Sequence, residues 1–276
     1  MKMVLAVAMD LLREASSRRW FLALWTAITL SLLAVGLSLR LEVVDGALAA
    51  SRFFGGSMRH DIVSVEVALR PVFTAMGYFL FYGGLGFGIL ACSDFASEML
   101  APGRIEHLLS LPIRRYELVL GTFVGVMILA LGSILYGSIG FTLVLCYKSG
   151  VWTAWPVVGS LLACIGFGAV YAVMLTTSLF VRSAALSAAA GAVTALLGII
   201  AGYRHAISDA FSGMARGVFL AVTAGLPRIS TLASRAAEIS SGTPLEASLV
   251  RPLLGALLFT FALISLGVFH FERKDF

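Results

Sequence analysis

Six stretches of this 276-residue chain run for 19 to 30 residues without a single Asp, Glu, Lys or Arg. They occupy 20–39, 71–93, 118–147, 154–181, 184–202 and 253–271. A helix of ~20 mostly apolar residues crosses the hydrocarbon core of a bilayer, where every backbone polar group must be satisfied internally. The six runs therefore predict an all-α integral membrane protein with six transmembrane helices, forming one transmembrane domain over 1–276. Two of them, 118–147 and 154–181, have 30 and 28 residues. At ~1.5 Å per residue these exceed a ~30 Å core and must tilt, kink or project beyond it. A shorter apolar patch, 217–226, ends at Pro227 and is either re-entrant or interfacial.

Composition agrees. Hydrophobic residues make up 59% and charged ones 13%, against about 25% charged in ordinary soluble domains. The net charge of +5 needs no nucleic acid as a partner, because basic flanks orient membrane helices. Cys92, Cys146 and Cys164 lie far apart inside apolar runs and read as small core residues, not as a disulfide set or a metal site.

An even number of spans puts both termini on one side. Counting Lys and Arg does not choose the side: Lys2, Arg13, Arg18, Arg19, Arg104, Arg114, Arg115, Arg182, Arg273 and Lys274 face Arg40, Arg52, Arg59, Arg70, Lys148, Arg204, Arg216, Arg228, Arg235 and Arg251. Density decides, since the first set occupies much shorter segments and Arg18-Arg19 abut the first span. Both termini are expected in the cytoplasm. Residues 1–19 have Val4, Leu5, Ala8, Leu11, Leu12 and Ala15 at helical spacing and predict an amphipathic interfacial helix. Ser17-Arg18-Arg19-Trp20 also looks like a twin-arginine export signal. The full-length apolar run and the polytopic chain that follow argue against cleavage there. The segments 40–70 and 203–252 are expected outside, as small extracellular helices capping the bundle.

The chemistry available is narrow. No Gly-Lys-Ser/Thr ends a phosphate loop, so the chain carries no ATPase motif of its own and no catalytic constellation. His270 is the only ionisable group in the spans apart from Cys and Tyr, at the last turn of its helix. His60, His107 and His205 are in loops, and no metal-ligand spacing occurs. The glycines at 83–88 lie inside a span, where Gly84 and Gly88 form a small-xxx-small face for close helix packing. Gly121/Gly125 and Gly198/Gly202 repeat the spacing.

One polar insert interrupts the apolar pattern. Residues 94–116 read DFASEMLAPGRIEHLLSLPIRRY. Pro102-Gly103 breaks the backbone, and 104–111 predicts a short helix with Glu106 outward and Leu108/Leu109 inward. Pro112 ends it, and Arg114-Arg115 anchor the next span. Such a helix, held between two spans, is a lever for a soluble motor.

This insert resembles the cytoplasmic coupling segment of ABC-2 type transporter permeases. The family pattern has an acidic residue, a Gly-Thr-hydrophobic-Glu unit, two Leu, a Pro, a basic residue and a Gly-Lys. Glu98, Gly103, Ile105, Glu106, Leu108, Leu109, Pro112, Arg114, Arg115 and Gly121 match it, while Arg104 replaces the usual Thr and Thr122 the usual Lys. The amphipathic start, the short turn at Arg182-Ser183, the long segment before the last span and the charged ending at 271–276 are similar to the same family. The layout is also loosely similar to permeases of copper-site maturation.

The resemblance implies a permease subunit of an exporter in a bacterial inner membrane. It implies pairing with a second permease copy, identical or a paralogue, contact with membrane lipid and docking of a separate ABC ATPase subunit. ATP and Mg are expected on that ATPase, and no cofactor on this chain. Glu98, Gly103, Arg104, Glu106, Leu109, Pro112, Arg114 and Arg115 would then be the ATPase-coupling residues. A different reading is a membrane scaffold that uses an ATPase to act on a periplasmic partner without moving cargo. A cysteine placed at Ser57 is expected to react with an impermeant thiol reagent added from the side opposite the termini. Labelling only after the membrane is opened would reverse the orientation.

Overall fold

The computed structural model describes residues 2–273 apart from 18, 45–46, 54–55, 60–62, 111–112 and 245–246. Of the described residues, it gives only the backbone at 20, 21, 39–66, 68, 107 and 109. The order is α1 (Lys2–Ser17), α2 (Arg19–Ser38), β1 (Leu39–Val44), β2 (Ala47–Phe53), β3 (Gly56–Arg59), β4 (Val63–Ser64) and α3 (Val65–Cys92). Then come α4 (Phe95–Met99), α5 (Arg104–Ser110), α6 (Arg115–Ser149), α7 (Trp155–Val181) and α8 (Ala184–Gly202). The last part holds α9 (Arg204–Ser208), α10 (Gly213–Ala224), α11 (Ile229–Ser240), a 3₁₀ turn (Ala247–Leu249) and α12 (Val250–Glu272).

Five helical stretches are long and apolar enough to cross a membrane: Leu69–Met99, Arg115–Ser149, Trp155–Val181, Ala184–Gly202 and Ala247–Glu272. The number rises to at most seven if each of two bent pairs, α1–α2 at 67° and α10–α11 at 62°, is one span. The expected six falls inside this range, and α2 is the helix on which the count turns.

The segment expected to form small helices after the first span is instead an antiparallel sheet. β1 pairs with β2, from Leu39↔Phe53 to Val44↔Ala47, with a register shift between Glu42 and Val43. The other edge of β2 pairs with β3 near Ser51–Phe53 and with β4 at Ala47 and Leu48. The sequence Leu-Arg-Leu-Glu-Val over 39–43 alternates with period two, the strand signal that prevails over a helical reading. Helix α3 then begins at Val65 and carries Pro71 inside it, earlier than the 71 expected from the apolar run alone.

Helix α7 is the hub. It packs against α3, α6, α8, α11 and α12, and most of it is buried, whereas α12 is largely exposed. Lipid tails are as apolar as Leu, so such a hub is held by close fit and by interhelical hydrogen bonds. Both are present. Thr176 donates to the Leu263 carbonyl of α12 at 3.1 Å, and Ser187 of α8 to the Met174 carbonyl at 3.0 Å. A Cβ at Gly166 would stand 2.8 Å from Phe81, and one at Gly191 2.7 Å from Met174. Between α7 and α8, Arg182 turns the chain at φ 54°, and Ser183 caps α8 by accepting from Leu186 N–H.

The helical expectation for 203–252 is met, and α11 proves central. Ile229, Leu232, Ala233, Ala236 and Ala237 are all buried. The helix lies against α8, where Ser230 donates to the Ile199 carbonyl at 2.9 Å, and against Gly77 of α3 and Gly159 of α7. It closes the end of the bundle opposite α1, α4 and α5. Helix α10 is by contrast exposed along most of its length, with Met214, Val218 and Val222 open.

Helix α1 lies across the start of α6. Ala8, Leu11 and Ala15 are its buried face. Ala8 sits over Gly125 and Val7 over Gly121, where a Cβ would come within 2.6 Å of the Val7 side chain. Gly132, also on α6, has nothing within 4 Å of its Cβ position. Gly121→Leu is therefore expected to lift α1 and cost about 1–3 kcal/mol, while Gly132→Leu leaves stability unchanged. Thermal unfolding and tryptic cleavage at Arg13 read the two apart.

Candidate functional site

The polar insert folds as a bracket beneath the bundle. Helix α4 continues α3 past a turn at Ser93-Asp94, with Phe95, Ala96, Met99 and Leu100 buried. Gly103 takes φ 82°, a left-handed turn that favours glycine, and the N–H groups of Arg104 and Ile105 return to the Ala101 carbonyl, each at 3.1 Å. That turn starts α5 at the expected place. Ile105 is buried, Leu108 packs on the main core, and Glu106 faces outward, exposed. Leu109 lies in α5 by its backbone, and Pro112 lies outside the described residues.

The charged groups divide. Arg104 forms a two-point pair with Glu14 of α1: Nη2 to Oε2 at 2.6 Å and Nη1 to Oε1 at 3.2 Å. The hydrogen bonding of its guanidinium to Glu14 is the main cause that raises the Arg104 pKa; partial burial opposes it, and the charges of Glu14, Asp10 and Glu98 add attraction. Arg104 thus clamps α5 to α1 within the chain. Arg115 is also engaged internally, donating to the Phe271 and Glu272 carbonyls at 3.3 and 3.2 Å. It caps the end of α12, where unpaired carbonyls attract a cation. Arg114 is exposed, and its backbone N–H donates to Glu117 at 3.0 Å.

Glu106 and Arg114 are accordingly the exposed charges of the insert, whereas Arg104 and Arg115 hold the bracket together. Glu98 is half-buried beside Arg104. Thr122 is buried and donates to Met99 Sδ at 3.2 Å and to the Leu118 carbonyl at 2.9 Å, joining α4 to α6. A cavity of about 220 Å³ lies between α1 and this bracket, bordered by Asp10, Glu14, Met99, Arg104, Leu108 and Thr122.

The remaining glycines of the packing expectation lie elsewhere. Gly88 seats Phe167 of α7, with a Cβ position 2.6 Å from the ring, and Gly198 lies under Ile229 of α11. Gly202 backs onto Ser230, and Gly84 faces Ile134 of α6 at 3.8 Å. Of the small-xxx-small pairs, Gly121/Gly125 thus receives α1 and Gly198/Gly202 receives α11, neither of them one of the six predicted spans.

Sequence reasoning about the insert missed Asp10 and Glu14. They stand at i and i+4 on one face of α1, a carboxylate pair that an unpaired Arg104 across the gap would have called for. Among the described residues, no three His, Cys, Asp or Glu side chains come together as a metal site would require. No protein-family model matches the chain, and no curated relative matches it either.

Charge reversal tests the clamp. Arg104→Glu is expected to loosen α1, because it adds a fourth carboxylate to Asp10, Glu14 and Glu98. Arg104→Glu combined with Glu14→Arg is expected to recover on the order of 1 kcal/mol of coupling. The double-mutant cycle is measured by thermal unfolding in detergent, and additive losses would remove the clamp.

Proposed function

We propose that this chain is the membrane-spanning permease subunit of an ABC-2 type ATP-driven exporter. It would work as a pair with a second permease copy and with a separate ABC ATPase subunit on the cytoplasmic face. The observation that carries the reading is α5, a two-turn helix presenting Glu106 outward while its inner side is fixed on three sides. Ile105 enters the core, Arg104 grips α1, and the Met99–Thr122 contact joins the preceding turn to α6.

A helix supported in this way transmits displacement rather than absorbing it. Movement of the ATPase on nucleotide binding would press on α5 and pass to α1 through the Glu14–Arg104 pair. It would reach α6 through Gly121, Gly125 and Thr122. Since α6 packs on α2, α3, α7 and α12, one displacement reaches several spans and alternates the exposure of a path between the paired permeases. The chain contributes the lever and the path, and the ATPase contributes hydrolysis of ATP with Mg. In this reading both termini, α1 and α5 are cytoplasmic, and the sheet and α9–α11 lie outside.

Glu106→Arg is expected to weaken copurification of the ATPase about tenfold, or to leave ATP hydrolysis running without transport, because it reverses an interface charge. Insertion and thermal stability should not change, since Glu106 is exposed and outside the clamp. Wild-type assembly and wild-type coupling in this variant would remove Glu106 from the docking surface.

A further inference from the structure

The end of the bundle opposite the coupling bracket has a surplus of positive charge in one place. The segment 203–252 contains five Arg and three acids. Asp209 is taken by Arg216 at 3.0 Å and Glu238 by Arg235 at 2.6 Å. Glu246 lies outside the described residues. The three remaining arginines are Arg204, Arg228 and Arg251; burial first, and then the charges of Arg204 and Arg251, lower the pKa of the half-buried Arg228.

The fold, not chance, gathers them. Gly198 and Gly202 of α8 lie against Pro227, Ile229 and Ser230, and the Ser230–Ile199 hydrogen bond fixes that contact. Arg204, just after Gly202, and Arg228, just before Ile229, therefore leave the bundle at one level. Arg251 stands in the first turn of α12, near enough to Arg228 for its charge to act there. Arg204 Nε donates to His205 Nε2 at 3.3 Å. Among the described residues none of the three has a carboxylate partner. Like charges held together at a cost call for an anion, and guanidinium groups suit a phosphate, which they can grip at two oxygens.

The surroundings indicate which phosphate. Tyr203, 54% exposed, precedes Arg204, and a Tyr-Arg pair at the end of a span marks headgroup depth. Toward the bilayer centre α8 exposes Leu196 and Ile200, and α12 exposes Leu254, Leu257 and Leu258. A ligand whose anionic group rests on the arginines thus has apolar surface for its tails. We propose that Arg204, Arg228 and Arg251 bind the phosphodiester of an anionic phospholipid whose acyl chains lie along α8 and α12. The site is distinct from the coupling bracket and does not depend on the exporter reading.

Native mass spectrometry of the full chain in mild detergent tests it, with phosphatidylglycerol, diacylglycerol of the same chains and glycerol 3-phosphate as probes. Wild type is expected to retain phosphatidylglycerol at least ~tenfold better than diacylglycerol, and Arg204→Gln/Arg228→Gln/Arg251→Gln to lose that preference. Arg216→Gln/Arg235→Gln, which alters paired arginines nearby, should retain it. Should the triple variant not fold, Arg251→Gln alone, at an exposed position, is expected to lower retention ~threefold or more. Equal retention of the two lipids, or full retention by the arginine variants, overturns the site. Glycerol 3-phosphate binding as tightly as the lipid overturns the lipid assignment in favour of a soluble phosphate.

Discussion

Everything in this molecule rests on how closely other elements approach α6 and α7. In a bilayer the removal of apolar surface from water does not bring helices together, so shape and a few hydrogen bonds do. Gly166, Gly168 and Gly191 admit Phe81, Met127 and Met174, which a Cβ would approach to 2.8, 3.1 and 2.7 Å. The same device seats elements that are too short to cross a membrane by themselves. Gly121 and Gly125 admit α1, and Gly198 and Gly202 admit α11. The two ends of the bundle are thereby closed by short amphipathic helices, each set into a glycine-lined groove on a longer one.

The charges follow from that packing. Once α1 lies on α6, Asp10 and Glu14 face the bracket, and Arg104 answers them. Its side chain is 38% and that of Glu14 26% exposed, so the pair is partly dry and bidentate, stronger than a solvated surface pair. At the other end, seating α11 on α8 brings Arg204 and Arg228 together with no carboxylate between them among the described residues.

Much of this was legible in the sequence, and the limits have physical causes. Uncharged runs of membrane length gave the positions of α6, α7, α8 and α12 within a few residues, because charge at depth is costly. Pro102-Gly103 placed the start of α5, since a left-handed turn there favours glycine. The sheet over 39–64 escaped because short strands give a weak signal beside a strong helical context. The Glu14–Arg104 pair escaped for a different reason. Its partners are 90 positions apart, and nothing in local periodicity says that α1 folds back onto α6. Arg104 and Arg115 read as handles for a partner, but side chains within reach of an internal carboxylate or a helix end are used there first.

The way α2 is attached bears on how such a bundle moves. Its contacts are chiefly with α6: Thr29 meets the Tyr136 hydroxyl at 2.8 Å, Trp25 packs on the same ring, and Leu32 fills the space beside Gly140. Between α2 and α3 lies a cavity of about 220 Å³ lined by Ile28, Ser31, Gly83, Gly84, Phe87 and Gly137. Helices α3, α8, α11 and α12 are instead gathered around α7. The bundle therefore divides into α1 and α2 carried on α6, and a block built on α7, with α6 touching both. Under the proposed exporter reading, a push on α5 would enter the first group through Glu14 and the second through Met99 and the α3–α4 turn. Because well-packed interfaces resist compression while a void does not, relative movement is expected to be taken up at the cavity beside Gly83 and Gly84 before it disturbs the hub.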